Sequence, residues 1–193
     1  MSHLYFRNTD GWARHTSRAE LATLAPGLLA DLISQPAVDH VVVRNDRGGM
    51  DVLSKRGEAR FNLRGETITY EVSGGDPFGY GALPHTFDRE RLLGETMMTD
   101  YPDAPYQLAK LFTAARTGDV VVSAALGYDL RLRYENPEHH GSHGSLHASH
   151  MLVPVLCNRK LRSDGMRTTD VFPTIMTSLG LEIPRYAEGQ PLT

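Results

Sequence analysis

Apolar positions in the first 72 residues follow two different spacings. Between Ser17 and Ile33 they recur every three or four residues, which predicts an amphipathic helix that Ser17 caps and Pro26 kinks or divides. Further along, short apolar runs separated by Gly- and Asn-containing turns predict strands paired as two hairpins. The strands predicted in this part of the chain are residues 4–7, 38–44, 50–54, 59–63 and 67–72.

Two continuous apolar runs, 119–126 and 151–157, distinguish the second half of the chain. Runs of this length are typical of strands buried on both faces of an α/β sheet. Helical spacing and glycine stops predict three helices around them. These helices are residues 88–98, 105–116 and 168–179. We therefore expect an α/β fold with a central, mostly parallel sheet flanked by helices and with an inserted β-hairpin subdomain.

Composition restricts the class of protein. The chain has 193 residues, of which 40% are hydrophobic and 22% charged, which fits one globular domain without an apolar stretch of membrane-spanning length. The net charge of -3 does not favour nucleic acid as a partner. Cys157 is the single cysteine, so an internal disulfide is excluded, and its apolar run predicts a buried strand position. The first residues do not resemble a secretory signal, and a cytoplasmic location is the default expectation.

Histidine is unusually concentrated between the two apolar runs. Five of the nine histidines lie between His139 and His150. They belong to the segment 135–150, which also contains Glu135 and Glu138. Loops that leave a sheet and return to it commonly hold ligands, and neutral imidazole is a ligand for zinc and similar metals. This pattern predicts a metal site in the loop, while an exposed, solvated loop is the alternative.

His143 is the strongest ligand candidate in this loop. Gly141 and Gly144 flank it closely, and they allow a tight turn that brings the ring close to an ion. His147 and His150 share a face with it only if a helix begins there. We therefore expect them to orient a metal ligand, to face the substrate or to be structural.

Two other readings concern neighbouring polar residues. Ser142 and Ser145 lie beside histidines, as the nucleophile of a serine hydrolase would require, but the glycine spacing does not match a Gly-x-Ser-x-Gly nucleophile elbow. Asp39 and His40 are followed by Val41 in a predicted strand, and we interpret them as a surface pair.

Three segments in the C-terminal half carry a resemblance to a known family. They are Gly-Asp-Val-Val-Val-Ser-Ala at 118–124, Ser-His-Gly-Ser-Leu-His-Ala-Ser-His-Met-Leu-Val-Pro-Val-Leu at 142–156, and Arg-Thr-Thr-Asp-Val-Phe-Pro-Thr-Ile-Met-Thr-Ser-Leu-Gly-Leu-Glu-Ile-Pro at 167–184, followed by Glu-Gly-Gln-Pro-Leu. In this order they resemble the C-terminal part of the alkaline phosphatase superfamily, in its type I phosphodiesterase and nucleotide pyrophosphatase branch. Residues before Gly118 are similar only in the order of their elements.

The resemblance implies a partial alkaline-phosphatase-like fold in which residues 1–193 form one C-terminal portion of the domain. Residues 38–103 would be an insertion or cap, and residues 118–193 would supply core strands, the histidine loop and the closing helix. It also implies a hydrolase with two divalent metal ions, usually zinc, and a Ser or Thr nucleophile. The histidine of a Ser/Thr-His-Gly stretch is the last ligand in this family, a role that falls on His143. The residues left to orient the metal ligands or to face the substrate are His139, His140, His147, His150 and Glu138.

The chain also departs from the family pattern. No Asp-His-Gly stretch occurs, and the family's nucleophile and first aspartate ligands precede the part that matches, so we interpret Met1 as an internal methionine of a longer protein. One histidine cannot hold two dications, and we expect this chain to be inactive alone. The expected substrates are small phosphate esters or nucleotides. Part of the substrate rim would come from residues 38–103, and three tyrosines there or just beyond could stack on a base or pack against neighbours, packing being the more common role in such loops. They are Tyr80, Tyr101 and Tyr106.

A different class of function stays open. The 193 residues can instead form a non-catalytic α/β module, or remnant, that binds metal weakly through the histidine loop or pairs with a partner. The two readings differ in whether a nucleophile and an Asp-His-Gly stretch are encoded upstream of Met1.

Overall fold

The computed structural model describes residues 1–130, 143–162 and 165–193. The chain divides into two compact units, Met1–Leu152 and Val153–Thr193. The first unit contains seven strands and five helices among its described residues, and the second contains one described helix. No described helix is long and apolar enough to cross a membrane.

Seven strands of the first unit form one sheet, and every neighbouring pair is antiparallel. The strands are β1 (Ser2–Leu4), β2 (Val38–Arg44), β3 (Met50–Ser54), β4 (Gly57–Arg64), β5 (Thr67–Ser73), β6 (Thr86–Asp88) and β7 (Val120–Ala124). Their order across the sheet is β1-β7-β2-β3-β4-β5-β6. The expectation of a mostly parallel sheet is therefore wrong. The predicted hairpins belong to this same sheet and do not form an inserted subdomain.

Tight turns explain why the middle of the sheet is antiparallel. Parallel neighbours need a long crossover connection, whereas β2 to β5 follow one another through short loops. The β2–β3 loop is closed by Asn45, whose side-chain oxygen accepts hydrogen bonds from the backbone N–H groups of Arg47 and Gly49, both at 3.0 Å. The two predicted hairpins are confirmed, with β3 joining them into a continuous meander.

Four helices of the first unit begin and end close to the predicted positions, and a fifth, Ala148–Met151, was not predicted. Ser17 caps the first of them: its side chain accepts from the Glu20 N–H, and the Glu20 carboxylate accepts from the Ser17 N–H. Pro26 lies between two short helices, as its ring requires. The helices are α1 (Arg18–Leu24), α2 (Leu28–Ser34), α3 (Arg89–Thr96), α4 (Ala104–Thr113) and α5 (Ala148–Met151).

The sheet is covered on both faces by hydrophobic clusters. One cluster joins Val41 and Val43 of β2 to Leu21 of α1, and the other contains Val42 together with Leu108 of α4. Residues of β7 alternate between the same two clusters, which accounts for the continuous apolar run over Val120–Ala124. The prediction that this strand is buried on both faces is confirmed, although its neighbours are antiparallel.

The second apolar run does not form a strand. Only its first residue is helical, at the end of α5, and residues 152–157 have no regular secondary structure and are exposed. Pro154 has no N–H to donate to a sheet, which weakens the run as a ladder strand. Cys157 is correspondingly exposed, so its predicted burial is also wrong.

The second unit is organised around the helix α6 (Thr168–Ser178), which confirms the prediction for 168–179. Asp170 caps this helix, because its carboxylate accepts from the Arg167 N–H at 2.8 Å. The same carboxylate accepts from the Gln190 N–H at 2.9 Å and so ties the C-terminal segment to the helix. Gly180 stops the helix in a left-handed conformation, as predicted.

Candidate functional site

The histidine loop is only partly within the described residues. His139, His140, Glu138 and Glu135 lie in 131–142, outside them, and so does Ser142. His143, His147 and His150 are described, and they belong to the segment that leads into α5.

His143 is exposed at the beginning of this segment. Gly144, which follows it, has a φ of 86°, a left-handed conformation that glycine adopts without strain. Gly141, the other glycine of the predicted tight turn, lies outside the described residues. Among the described residues, the His143 ring has no hydrogen-bond partner.

Two buried residues fix the segment immediately after His143. Leu146 is almost fully buried in the larger hydrophobic cluster, and Ser145 is buried beside it. The Ala148 N–H donates to the Asp100 backbone oxygen at 2.7 Å. These contacts hold the exposed His143 at the edge of a well-packed core.

His147 caps α5 and is held by several contacts. Its Nδ1 accepts a hydrogen bond from the Ser149 N–H at 3.2 Å and lies 2.7 Å from the Ser149 hydroxyl. Its ring packs edge-to-face on Tyr101, with ring centroids 5.7 Å apart. The sequence placed His147 in the site region, but its contact with Tyr101 joins residues 46 positions apart and has no local sequence signal.

The other loop residues are arranged differently. His150 is exposed in the last turn of α5. The Ser145 hydroxyl accepts from the His147 backbone N–H at 3.1 Å, which is a local turn contact and not the serine–imidazole pair of a hydrolase. Across 1–130, 143–162 and 165–193, no group of three or more His, Cys, Asp or Glu residues is arranged to hold a metal ion.

A polar and aromatic cluster, which the sequence did not predict, lies next to His147. The Tyr101 hydroxyl donates to both carboxylate oxygens of Asp39, at 2.9 and 3.1 Å. The His40 ring lies edge-to-face against the Tyr101 ring at 4.7 Å, and the Arg56 guanidinium lies 5.7 Å from the centre of that ring. We call Asp39, His40, Arg56, Tyr101 and His147 the Tyr101 cluster.

His40 is fully buried, so its interpretation as part of a surface pair is wrong. Its Nε2 lies 3.0 Å from the Pro77 backbone oxygen, which can only accept, and this nitrogen therefore carries a proton. Its Nδ1 lies 3.2 Å from Asp39 Oδ2 without a well-aligned hydrogen bond. The burial of His40 follows from β2 being covered on both faces, whereas an edge strand would have exposed it.

The Tyr101 cluster shifts the pKa of two of its members in opposite directions. Burial of the Asp39 carboxyl raises its pKa, but His40, the Tyr101 hydroxyl and Arg56 oppose burial, and the net pKa is lowered. Burial, together with the negative charge of Asp39, raises the pKa of Tyr101. Asp39 is therefore ionised and Tyr101 is a neutral donor near neutral pH.

The three tyrosines considered for base stacking are packing residues. Tyr101 and Tyr106 are buried in the larger hydrophobic cluster, and Tyr80 packs against it. The Tyr80 hydroxyl donates to the Tyr101 backbone oxygen at 2.5 Å. The burial of Tyr101 and Tyr106 leaves little of either ring exposed for stacking on a base.

A cavity of about 410 Å³ lies beside the end of β5. His85 and Glu71, which line it, are 3.2 Å apart. It does not include the described histidines 143, 147 and 150, and its lining residues are Tyr70, Glu71, Val72, Gly81, Leu83 and His85.

Searches against protein-family models, curated proteins and solved structures find no match to this chain.

Proposed function

We propose that this chain is part of a metal-dependent phosphohydrolase that cleaves phosphodiester or nucleotide pyrophosphate bonds, with His143 as one metal ligand. The observation that carries the proposal is the placement of His143: an exposed ring without a described hydrogen-bond partner, next to a left-handed glycine, on a segment fixed by buried Leu146. The Ser-His-Gly stretch that resembles the family supplies the same residue.

The described residues fit one ligand position of such a site and not a complete site. A catalytic zinc ion needs about three protein ligands, and the described part of the chain holds no group of three. The proposal therefore takes the remaining ligands and the nucleophile from elsewhere in the complete protein. When bound, two zinc ions would activate the nucleophile and stabilise charge on the phosphoryl oxygens.

Small phosphate esters or nucleotides are the proposed substrates. The packing of Tyr101 and Tyr106 in the hydrophobic cluster gives no support to base stacking by these rings, so recognition would depend on the phosphate group. The proposed site would therefore recognise the phosphoryl group and not a particular base.

The test is hydrolysis of bis-p-nitrophenyl phosphate by the product of the complete reading frame that contains residues 1–193. We expect EDTA to abolish turnover and zinc to restore it. His143→Ala should lower turnover at least about a hundredfold. Removing a residue that hydrogen-bonds to a metal ligand lowers activity by up to about a hundredfold, and removing the ligand itself should cost at least as much. His150→Ala, an exposed histidine of the same segment, is the matched control and should retain activity.

Turnover that survives EDTA would contradict the proposal, and so would a complete reading frame without an upstream Ser or Thr nucleophile and Asp-His-Gly stretch. Absence of turnover at saturating zinc would favour the non-catalytic alternative, a module that binds metal weakly or pairs with a partner.

A further inference from the structure

A β-bulge brings two titratable residues of the central strand β2 together. The pairing of β2 with β7 shifts register between Val38 and His40, and Asp39 is the extra residue at this point. Neighbouring side chains of a regular strand point to opposite faces of the sheet. Here, however, Asp39 Oδ2 lies 3.2 Å from His40 Nδ1. Bulges redirect side chains in this way and are common next to functional sites.

The other nitrogen of the His40 ring also lies next to an acceptor. Nε2 is 3.0 Å from the Pro77 backbone oxygen, and a carbonyl oxygen can only accept a hydrogen bond. The ring is fully buried and packs against Phe78 and Tyr101, with ring centroids 4.8 and 4.7 Å away. Each nitrogen of this ring therefore has an oxygen acceptor as its polar neighbour.

Both neutral forms of His40 leave one unfavourable contact. A neutral imidazole has one N–H, and its other nitrogen is an acceptor. With the proton on Nε2, the bare Nδ1 faces the Asp39 carboxylate, and with the proton on Nδ1, the bare Nε2 faces the Pro77 oxygen. Only the imidazolium presents an N–H to both oxygens.

The Asp39 carboxyl does not supply the missing proton. Burial raises the pKa of this carboxyl, but its partners oppose burial and lower the pKa overall. Both of its oxygens lie within hydrogen-bond distance of the Tyr101 hydroxyl, at 2.9 and 3.1 Å, which fits a carboxylate that accepts. The proton between Asp39 and His40 therefore belongs to the His40 ring.

Other titratable side chains around the pair agree with this assignment. The Arg56 guanidinium lies 5.7 Å from the centre of the Tyr101 ring and adds a positive charge that favours the ionised form of the paired carboxyl. The His147 ring packs on the same tyrosine. The Asp76 carboxylate, in the loop after β5, accepts from the backbone N–H groups of residues 78–80 and so has its own donors.

Ser123 is the residue that offers His40 an alternative partner. It lies opposite His40 on β7, so both side chains are on the same face of the sheet. A Ser123 hydroxyl that donated to a bare Nδ1 would make the neutral ring acceptable. Within the part of the chain that the structure describes, however, neither this hydroxyl nor Nδ1 takes part in a hydrogen bond. The approach of Asp39 is therefore the contact that decides the charge of the ring.

We infer that His40 is a buried imidazolium paired with Asp39, and that loss of its Nδ1 proton at raised pH releases Tyr101 from Asp39. A bare Nδ1 would repel the carboxylate. The Asp39 side chain is 23% exposed, so it can turn toward solvent and leave the Tyr101 hydroxyl. Tyr101 contacts the His147 ring, and its release would loosen the histidine segment. This pH-sensitive contact does not depend on metal binding or on the proposed function.

The first measurement determines the charge of the ring. Nitrogen-15 NMR of the histidine rings in the full chain near pH 7 should show both nitrogens of His40 protonated. The measurement needs no variant, so a variant that fails to fold does not affect it. A His40 ring with one unprotonated nitrogen at this pH would overturn the inference.

Three variants identify the partner that keeps the ring charged. Asp39→Asn should make His40 neutral, because the amide N–H can donate to a bare Nδ1. Asp100→Asn, at an exposed aspartate next to Tyr101, is the matched control and should leave the ring charged. Ser123→Ala should also leave it charged. A ring that stays charged in folded Asp39→Asn would contradict the pairing with Asp39.

The last measurement follows the histidine segment as the pH is raised. As His40 loses its Nδ1 proton, protection of the Ala148 N–H from hydrogen exchange, corrected for the intrinsic rate at each pH, should fall about tenfold, the loss typical of a hydrogen bond to a charged group. His40→Gln, whose amide N–H can donate to Asp39 at every pH, should not show this step. Unchanged protection in the wild-type chain while His40 loses its proton would show that Tyr101 is not released.

Discussion

The Tyr101 hydroxyl donates a bifurcated hydrogen bond to the two carboxylate oxygens of Asp39, at 2.9 and 3.1 Å. The two residues are 62 positions apart in the chain. Asp39 belongs to β2, and Tyr101 precedes α4. The contact therefore joins the sheet to the segment that also receives the Ala148 N–H, and so connects the centre of the fold to the histidine segment.

Loss of this contact should lower stability in a pH-dependent way. The pKa of Asp39 is lowered in the folded chain, so its contribution is complete above its unfolded pKa of about 3.9 and is lost as pH falls through the folded value. Tyr101→Phe should cost about 1–3 kcal/mol near pH 7 and less near pH 3. Urea unfolding at both pH values checks this, with exposed Tyr186→Phe as control. An equal loss at both pH values would contradict the assigned role of Asp39.

Asp51 is a buried carboxylate on which stability also depends. It accepts from Arg18 at 2.7 Å, Arg60 at 3.2 Å and Asn45 at 2.9 Å. Burial raises its pKa, but these partners oppose burial and lower it overall.

Asp51→Asn should destabilise the fold by about 2–3 kcal/mol, less than the loss of a fully buried pair because Arg18 keeps its contact with Glu58. The loss should shrink below about pH 4, where the wild-type carboxylate begins to be protonated in the unfolded chain. Denaturant midpoints measure it, and exposed Asp10→Asn should show no measurable change. A neutral effect of Asp51→Asn would mean that the network is not stabilising.

Leu146 is predicted to anchor the histidine segment. It is 1% exposed and lies in the larger hydrophobic cluster, so Leu146→Ala should cost about 2–5 kcal/mol. Hydrogen exchange at Ala148, whose N–H donates to Asp100, should accelerate more than exchange in β4. Leu156→Ala, at a 97% exposed position, is the control. Unchanged protection at Ala148 in folded Leu146→Ala would show that Leu146 is not the anchor.

Two glycines of the second unit allow a matched comparison. Both Gly180 and Gly189 have positive φ, but a Cβ at Gly180 meets open space while a Cβ at Gly189 collides with the Thr169 backbone oxygen. Gly180→Ala should therefore cost about 1–2 kcal/mol from its backbone conformation alone. Gly189→Ala should cost clearly more and weaken exchange protection of α6. Equal losses in the two variants would contradict the close packing at Gly189.

For the strand at Val120–Ala124, burial was predictable from the sequence, and the direction of its neighbours was not. The run over Val120–Ala124 correctly predicted a strand covered on both faces. An apolar run has the same appearance in a parallel or an antiparallel sheet when both faces are covered, so the inference to parallel pairing had no independent support. The turn residues of the hairpins, such as Asn45 and Gly65, gave the more reliable indication of antiparallel neighbours.

At residues 151–157 the burial that the sequence predicted was itself wrong. Its apolar residues predicted a buried strand, yet Leu156 is 97% exposed and no described strand lies there. Hydrophobic composition identifies a segment that would gain from burial, but it does not supply the neighbouring strand.

Part of the candidate site could be predicted, because histidines and glycines mark it locally. His143 and its left-handed Gly144 follow directly from the Ser-His-Gly sequence. Tyr101 and Asp39 carry no local signal, since their contact depends on the order of strands across the sheet. His40 was misread for the same reason: its strand is central, and both of its faces are covered.

The central claim is that His143 is a metal ligand. Zinc titration of the product of the complete reading frame, followed by NMR of its histidine rings, tests this claim most directly. We predict that the His143 ring is perturbed at the lowest zinc concentration, that His143→Ala loses this response and that His150→Ala keeps it. A His143 ring that is unchanged by zinc while other histidines respond would contradict the claim.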